Sequence, residues 1–255
     1  MSADLRGKTA FVTGAGAGIG RATALAFAQA GAWVLLVDRD EQALADTLAT
    51  LRQNGGEGAT MVCDVRQGDA VRAAVAYAVE QRGALDCAVN AAGIEGATKA
   101  LLDEDEDMFD RVMDVNLRGV WHGMRAQIRQ MLTQSTGGAI VNVASAAGLV
   151  GSKRCAVYSA SKHAVLGLTR SAALQYGRQR VRVNAVCPAG VSTDMATRIV
   201  SSLGQENSSG GGSNYPLGRY SSPQEIASGI LWLCSDGAAS TIGTALTMDA
   251  GLTAA

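Results

Sequence analysis

Three side chains of this sequence could together carry out proton transfer. Tyr158 and Lys162 stand four residues apart in a helical stretch, so they share one helix face with about 5–6 Å between their Cβ atoms. A phenol titrates near pH 10 and is a poor base at neutral pH, but a neighbouring ammonium favours the phenolate and lowers its pKa. Ser145 ends an apolar run thirteen residues before Tyr158 and adds a hydroxyl donor. The triplet indicates acid/base chemistry on an oxygen, although a Tyr–Lys pair alone is common on solvated helix faces.

A glycine-rich turn near the start of the chain is a candidate phosphate-binding loop. Glycines occupy every second position from 14 to 20 in TGAGAGIG, between an apolar run and a helical pattern. They do not fit G-x-G-x-x-G in either register, because its sixth place falls on Ile19 or Arg21. Glycines allow a ligand to approach the backbone closely, and a helix N-terminus presents free N–H groups and partial positive charge. The turn therefore suits a pyrophosphate, and an ordinary glycine-rich connection is the alternative.

Asp38 indicates which cofactor such a turn would serve. It ends the apolar run WVLLVD and lies 18 residues after Gly20. A carboxylate at this place can accept hydrogen bonds from both hydroxyls of the adenosine ribose, and it would repel a 2′-phosphate. Arg39 follows directly and would favour that phosphate. We interpret the pair as a preference for NAD, because Arg39 can turn to solvent, and the strictness of the preference stays open.

Short apolar runs alternate with helical patterns along the chain. The seven strand candidates are KTAFVT, WVLLVD, ATMVCDV, LDCAVNAAG, GAIVNVAS, VRVNAVCP and TALTMD. This alternation predicts parallel pairing with helices on both faces. The predicted fold class is therefore α/β, with a single Rossmann-type, doubly wound sheet of about seven parallel strands. Ligands bind beyond the carboxyl ends of such strands, which is where the glycine turn, Asp38 and Ser145 fall.

The whole chain, 1–255, is predicted to form a single dinucleotide-binding catalytic domain. Its 255 residues, with 47% hydrophobic side chains, suit one large α/β domain. One segment departs from the strand–helix rhythm. Residues 196–220, which contain NSSGGGSN, are polar and rich in glycine, so we expect a flexible flap over the substrate.

Charge and cysteine content argue against several classes of protein. The 22 basic and 23 acidic residues give a net charge of −1 without a basic stripe, so no nucleic-acid partner is expected. No apolar stretch approaches about 18 residues, so no membrane partner is expected. The first residues lack the apolar core of a signal peptide. The five cysteines form no C-x-x-C pair, which predicts no metal site and suits free thiols in the cytoplasm.

Taken together, these features resemble the short-chain dehydrogenase/reductase family over essentially the full length. The resemblance is carried, in chain order, by TGAGAGIG in the family's T-G-x-x-x-G-x-G spacing, NAAG, DVNLRG, NVASAAG, YSASK and PAGVST. In this spacing Gly16 is a permissive extra glycine. The usual N-N-A-G reads N-A-A-G here, and the usual P-G after the sixth strand reads P-A-G. Because Asn90 is kept in the first of these motifs, cofactor binding is expected to persist.

The resemblance implies a role for each matched residue. Tyr158 would be the acid/base, Ser145 would hold the substrate oxygen, and Lys162 would lower the pKa of Tyr158 and bind the nicotinamide ribose. Asn116 would hold a water that links Lys162 to solvent. The other implied NAD contacts are Gly14, Gly18, Ile19 and Gly20 at the pyrophosphate, Asp38 at the ribose, Asp64 and Val65 at the adenine, Asn90 and Gly93 along the adenosine side, and Val191 and Thr193 at the nicotinamide carboxamide.

The family implies hydride transfer between NAD(H) and a small-molecule secondary alcohol or ketone. Apolar residues beside the site favour a hydrophobic or cyclic substrate, and NVASAAGLVG with DAGLTAA resembles the subgroup that oxidises cyclic diols, bulky secondary alcohols and hydroxysteroids. One alternative is a 3-oxoacyl thioester reductase, which typically prefers NADPH. Another is a non-catalytic sensor that binds the nicotinamide cofactor. The family also implies a homotetramer, packed through the long helices that contain Asn116 and Tyr158.

Overall fold

Seven parallel strands form the central sheet of the computed structural model, which describes residues 4–202 and 215–254. They are paired in the order β3-β2-β1-β4-β5-β6-β7. This confirms the predicted doubly wound α/β sheet. The strands are β1 (Thr9–Thr13), β2 (Trp33–Asp38), β3 (Glu57–Val62), β4 (Cys87–Asn90), β5 (Gly138–Val143), β6 (Val181–Pro188) and β7 (Ala245–Met248).

Helices connect the strands and cover both faces of the sheet. The longest described ones are α1 (Gly18–Gln29), α2 (Glu41–Gln53), α3 (Gly68–Arg82), α4 (Glu106–Met113), α5 (Gly119–Met131), α6 (Ala156–Tyr176), α7 (Asp194–Ser202) and α8 (Pro223–Cys234). Helix α8 begins with a capping box: Glu225 N donates to Ser222 Oγ at 3.2 Å, and Ser222 N donates to the Glu225 carboxylate at 2.7 Å. Within the described ranges, every helix is too short or too polar to span a bilayer.

Alternating side chains of the strands build one core on each face of the sheet. In β1, Phe11 packs with buried residues of α3, α5 and α6, whereas Ala10 and Val12 pack with those of α1, α2 and α8. All three are fully buried. A large apolar side chain removed from water in this way stabilises the fold by about 1.5–3 kcal/mol. The two cores fix the strand ends, and thereby the residues that follow them.

The long helix expected to contain Asn116 is interrupted in the structure. A π-helical turn, Asp114–Arg118, separates α4 from α5. Asn116 lies within this turn and points inward: Ile94 N donates to its Oδ1 at 2.8 Å, and its Nδ2 donates to Ile94 O at 2.9 Å. The extra residue of a π turn directs this amide at the loop after β4, and such turns are frequent at functional sites.

The segment predicted as a flexible flap, 196–220, starts as ordered helix in α7. Its centre, 203–214, lies outside the described residues. The chain returns at Tyr215, and an isolated parallel bridge joins Val191 to Ser221 beside the end of β6. Both described ends of the segment therefore pack near the carboxyl edge of the sheet.

Candidate active site

A cavity of about 670 Å³ lies at the carboxyl ends of the strands, across the β1–β4 junction where the strand order reverses. Ligands of doubly wound sheets bind at this place. All the predicted site residues except Asn90 and Asn116 line it. Those that do are Gly14, Gly18, Ile19, Gly20, Asp38, Asp64, Val65, Gly93, Ser145, Tyr158, Lys162, Val191 and Thr193.

The turn after β1 has the geometry of an anion cradle. Gly14 and Gly18 adopt φ values of 68° and 52°, in the left-handed region that favours glycine. A side chain at Gly20 would overlap the Gly14 carbonyl. The N-cap Ala17 offers no capping side chain, and among the described residues the N–H groups of Gly18, Ile19 and Gly20 have no acceptor. These donors, at the positive end of α1, are available to a phosphate.

Gly16 is required for the shape of this turn, so its interpretation as a permissive extra glycine is wrong. Its N–H donates to Asp38 Oδ2 at 3.0 Å, and a Cβ atom there would lie only 2.8 Å from that of Ala43. Asp38 Oδ1 accepts from the N–H groups of Arg39 (2.7 Å) and Asp40 (3.2 Å). A carboxylate offers about four acceptor positions, so Asp38 keeps capacity toward the cavity. The Arg39 side chain is exposed.

The neighbouring carboxylate, Asp64, is already paired. The Arg66 guanidinium donates to it from two nitrogens, with 2.6 Å between Nη2 and Oδ2, and holds the pKa of Asp64 below its ordinary value. Arg66 was not a predicted site residue. Among the described residues, no group of three or more His, Cys, Asp or Glu side chains is arranged to hold a metal ion.

Strand β5 and helix α6 bring the three candidate proton-transfer residues to one wall of the cavity. Ser145 follows the end of β5, and its Oγ donates to Pro188 O at 3.4 Å while accepting from Ala147 N at 3.1 Å. Tyr158 lies in the first turn of α6, and Lys162 lies one turn later with 4% of its surface exposed. The hydroxyl, the phenol and the ammonium therefore meet as the spacing predicted.

Burial moves the pKa values of the tyrosine and the lysine in opposite directions. It raises the pKa of Tyr158 to about 12, against a smaller lowering by Ser145, and it lowers the pKa of Lys162 to about 8. The predicted lowering of the Tyr158 pKa by Lys162 is not found. The reason is geometric: the Lys162 ammonium lies beside the phenol ring and donates to Val143 O at 2.8 Å. Further positive charge in the cavity is needed to favour the phenolate.

The Asn116 side chain does not reach the cavity. Besides its two bonds to the backbone of Ile94, its Nδ2 donates to Ser161 Oγ at 3.2 Å, and the residue is fully buried. Both Nδ2 hydrogens and one of the two acceptor positions of Oδ1 are thus used within the protein. The role of Asn116 in a water-mediated link to Lys162 stays a prediction.

Asn90 belongs to a buried amide network beneath the cavity. Its Nδ2 donates to Gln127 Oε1 at 3.0 Å and to Asn142 Oδ1 at 2.9 Å, and Gln127 returns a bond of 2.8 Å. Asn142 continues the network to Thr169 Oγ1 at 2.9 Å. These groups are buried and mutually satisfied, which fixes β4 and β5 against α5 and α6. Asn90 thus supports the strand end and does not face the cavity.

Two tyrosines that no motif indicated lie beside Gly190 and line the cavity. Tyr215 and Tyr220 pack edge to face with 5.3 Å between ring centroids, and both line the cavity together with Leu252 from the C-terminal segment. The available signal was their rarity, because the chain has only five tyrosines and these two fall near the end of the predicted flap, 196–220.

An ion pair crosses the rim between the loop after β4 and helix α7. Arg198 Nε lies 2.6 Å from Glu95 Oε1, and Arg198 also lines the cavity. Burial raises the pKa of Glu95, but the bond and charge of Arg198 outweigh it and bring that pKa below its ordinary value. The Glu95 charge in turn contributes to the raised pKa of Tyr158.

The chain is similar to known oxidoreductases over nearly its whole length. A family model described as enoyl-(acyl carrier protein) reductase matches residues 14–253. A short chain dehydrogenase/reductase of Aspergillus oryzae is 38% identical, over 97% of this chain and 95% of the relative. A 2,5-dichloro-2,5-cyclohexadiene-1,4-diol dehydrogenase of Sphingobium indicum is 41% identical, over 98% of this chain and 99% of the relative.

The fold is also shared with solved structures of the same kind. The crystal structure of a levodione reductase superposes with a TM-score of 0.94 at 34% identity, over 98% of this chain and 99% of the other. The doubly wound sheet, the glycine turn at its switch point and the Ser145–Tyr158–Lys162 wall agree with these similarities. The chain belongs to the short-chain dehydrogenase/reductase family of oxidoreductases.

Proposed function

We propose that the protein is an NAD(H)-dependent oxidoreductase that transfers a hydride between the cofactor and a secondary alcohol or ketone. The observation that carries this proposal is the convergence of Ser145, Tyr158 and the buried Lys162 on a cavity whose β1 side is an anion cradle. A bound nicotinamide would supply the hydride chemistry, and the protein supplies binding, orientation and proton transfer. A non-catalytic sensor would need the cradle but no acid/base.

The residues of the β1 side fit a dinucleotide. The free N–H groups at the start of α1 suit a pyrophosphate, and the Asp38 carboxylate suits the hydroxyls of a ribose. Asp38 keeps negative charge where a 2′-phosphate would lie, and the exposed Arg39 does not offset it, which favours NAD over NADP. The further contacts that we propose are Asp64 and Val65 at the adenine, Gly93 along the adenosine side, Lys162 and Tyr158 at the nicotinamide ribose, and Val191 and Thr193 at the carboxamide.

The chain's own residues would handle the proton. Ser145 would turn its hydroxyl from Pro188 O to the substrate oxygen and hold it as a preorganised donor. Tyr158 would accept the proton of an alcohol or protonate a ketone. Lys162, anchored at Val143 O, would keep positive charge at this wall of the cavity, and further positive charge from the bound cofactor would be needed to favour the phenolate.

The cavity wall beside these residues favours a hydrophobic, cyclic substrate. Ile94, Met195 and Leu252 are apolar and line this part of the cavity. The relative from Sphingobium indicum is named for a cyclic 1,4-diol, which agrees with such a wall. We therefore propose a cyclic or otherwise bulky secondary alcohol, or the corresponding ketone, as the substrate class.

Initial rates with NAD⁺ and NADP⁺ against aliphatic, cyclic, aromatic and steroid alcohols test this function. We expect oxidation with NAD⁺ and the highest kcat/KM for cyclic alcohols. A preference for NADPH together with reduction of 3-oxoacyl thioesters would favour the thioester reductase instead. Tight NADH binding without turnover of any alcohol or ketone would favour the sensor.

We also propose a homotetramer in the cytoplasm. A groove of about 520 Å³ between the outer faces of α5 and α6 contains Trp121 and Leu132, and a Cβ atom at Gly167 would meet open space. This face suits the close approach of a second copy. The five free cysteines suit a reducing compartment. Light scattering should give four chains for the wild type and fewer for Gly167→Arg, whereas a monomeric wild type contradicts the assembly.

A further inference from the structure

A second phenol, Tyr215, lines the cavity and has no part in the proposed hydride transfer. Its oxygen accepts a hydrogen bond from Gly190 N at 3.1 Å, and its ring packs edge to face on Tyr220. Gly190 has no room for a side chain, because a Cβ atom there would overlap the Tyr220 ring and lie 2.8 Å from the Tyr215 oxygen. Glycine thus permits the close approach that fixes the position of the Tyr215 hydroxyl.

Among the described residues, the hydrogen of this hydroxyl has no partner. A phenol carries one hydrogen, and the bond from Gly190 uses only an acceptor position of Tyr215. Over residues 4–202 and 215–254 its hydrogen has no acceptor. Burial raises the pKa of Tyr215, despite a lowering by the Gly190 N–H, so the group stays a neutral donor at physiological pH. A half-buried donor in a cavity that apolar Met195 and Leu252 also line selects for a ligand oxygen.

The Tyr215 hydroxyl and the Ser145 hydroxyl are both hydrogen-bonded to the backbone at the end of β6. Ser145 Oγ bonds to Pro188 O at 3.4 Å, and the Tyr215 oxygen bonds to Gly190 N two residues further along. Both side chains line the same cavity. Consider a cyclic substrate whose reacting oxygen binds Ser145 and Tyr158. The Tyr215 hydroxyl is then available to a second polar group on another carbon of the substrate ring.

We propose that Tyr215 binds a second oxygen of the substrate and makes the enzyme selective for cyclic diols and hydroxyketones over cyclic mono-alcohols. This rests on the proposed function and specifies its substrate class. Selectivity of this kind is strong because a substrate without the second oxygen leaves a partly buried hydroxyl without its partner. Tyr215 contributes binding and orientation, and the proton transfer stays with Tyr158.

The test compares kcat/KM with NAD⁺ for the stereoisomers of cyclohexane-1,4-diol and for cyclohexanol. We expect the wild type to prefer a diol, and Tyr215→Phe to lose about tenfold for that diol while changing cyclohexanol by less than about twofold. Tyr220→Phe, which keeps the ring pair, serves as the matched control and should leave the ratio unchanged.

Other outcomes separate the two proposals. An equal loss for diol and cyclohexanol in Tyr215→Phe would mean that Tyr215 only supports the Gly190 turn, and no loss for either would mean that it makes no substrate contact. Both results overturn this inference and leave the proposed function standing. A wild type that oxidises neither compound, nor any other cyclic alcohol, overturns the proposed function and this inference with it.

Discussion

The Lys162 ammonium lies 5.6 Å from the centroid of the Tyr158 ring, yet its hydrogen bond goes to the carbonyl of Val143 at 2.8 Å. The lysine is thus fixed beside the phenol without contacting its oxygen. Burial raises the pKa of Tyr158 to about 12 and lowers that of Lys162 to about 8. In the ligand-free cavity, Tyr158 therefore keeps its proton at neutral pH, whereas Lys162 loses its proton at a lower pH than an exposed lysine does.

Lys162 should make the stability of the ligand-free protein depend on pH. The folded chain holds this lysine with a pKa near 8, against 10.5 in the unfolded chain, so the unfolded chain binds more protons between these values. The free-energy cost of burying the protonated lysine is greatest below pH 8 and decreases as the pH rises toward 10.5. From pH 7.5 to 9.5 the wild type should gain about 2 kcal/mol in free energy of unfolding relative to Lys162→Met, measured by urea denaturation. Parallel pH profiles for the two proteins would contradict the lowered pKa.

The Glu95–Arg198 pair should modulate the pH at which Tyr158 ionises, which burial of the phenol mainly determines. Because the Glu95 charge raises the pKa of Tyr158, Glu95→Gln should move the rising limb of kcat/KM for alcohol oxidation to lower pH by about half a unit. Arg198→Gln leaves the carboxylate uncompensated and should move the limb upward. The profiles are measured at saturating NAD⁺. Shifts in the same direction for both variants would mean that the pair acts on the position of α7 and not on charge.

Asp38 should decide between the two nicotinamide cofactors. Removing its charge in Asp38→Ala should raise kcat/KM for NADP⁺ relative to NAD⁺ by about tenfold, because the repulsion of a 2′-phosphate is relieved. Asp46→Ala is the matched control, since that carboxylate is exposed on α2 and lies outside the residues that line the cavity. It should leave the cofactor ratio unchanged. A wild type that uses NADPH better than NADH would contradict this account of Asp38.

The fold and most of the cavity could be predicted because their signals are local. Strands buried on both faces appear in the sequence as continuous apolar runs, and the helix after each one imposes parallel pairing. Ser145 and Tyr158 then had to meet, because one follows β5 and the other begins the next helix. Only the third strand was displaced: Glu57–Val62 pairs with β2, two residues before the predicted start.

The rest depended on contacts between distant parts of the chain. A motif identifies Asn90 and Asn116 but not the direction of their side chains, and both turn into buried hydrogen-bond networks. The raised pKa of Tyr158 comes from tertiary burial, which i, i+4 spacing does not reveal. Tyr215 approaches Gly190 across 25 residues, within a segment whose polar composition predicted only a flap.

The kinetics of Tyr158→Phe test the central claim most directly. This substitution removes one oxygen atom, so it takes away the acid/base but keeps the ring that lines the cavity. The control is Tyr176→Phe, which makes the same change elsewhere on α6. With NAD⁺ and a cyclic secondary alcohol, the account predicts that Tyr158→Phe abolishes turnover while its NADH affinity stays within a few-fold of the wild type. A Tyr158→Phe variant that retains more than about a tenth of the wild-type rate would contradict the assignment of Tyr158 as the acid/base.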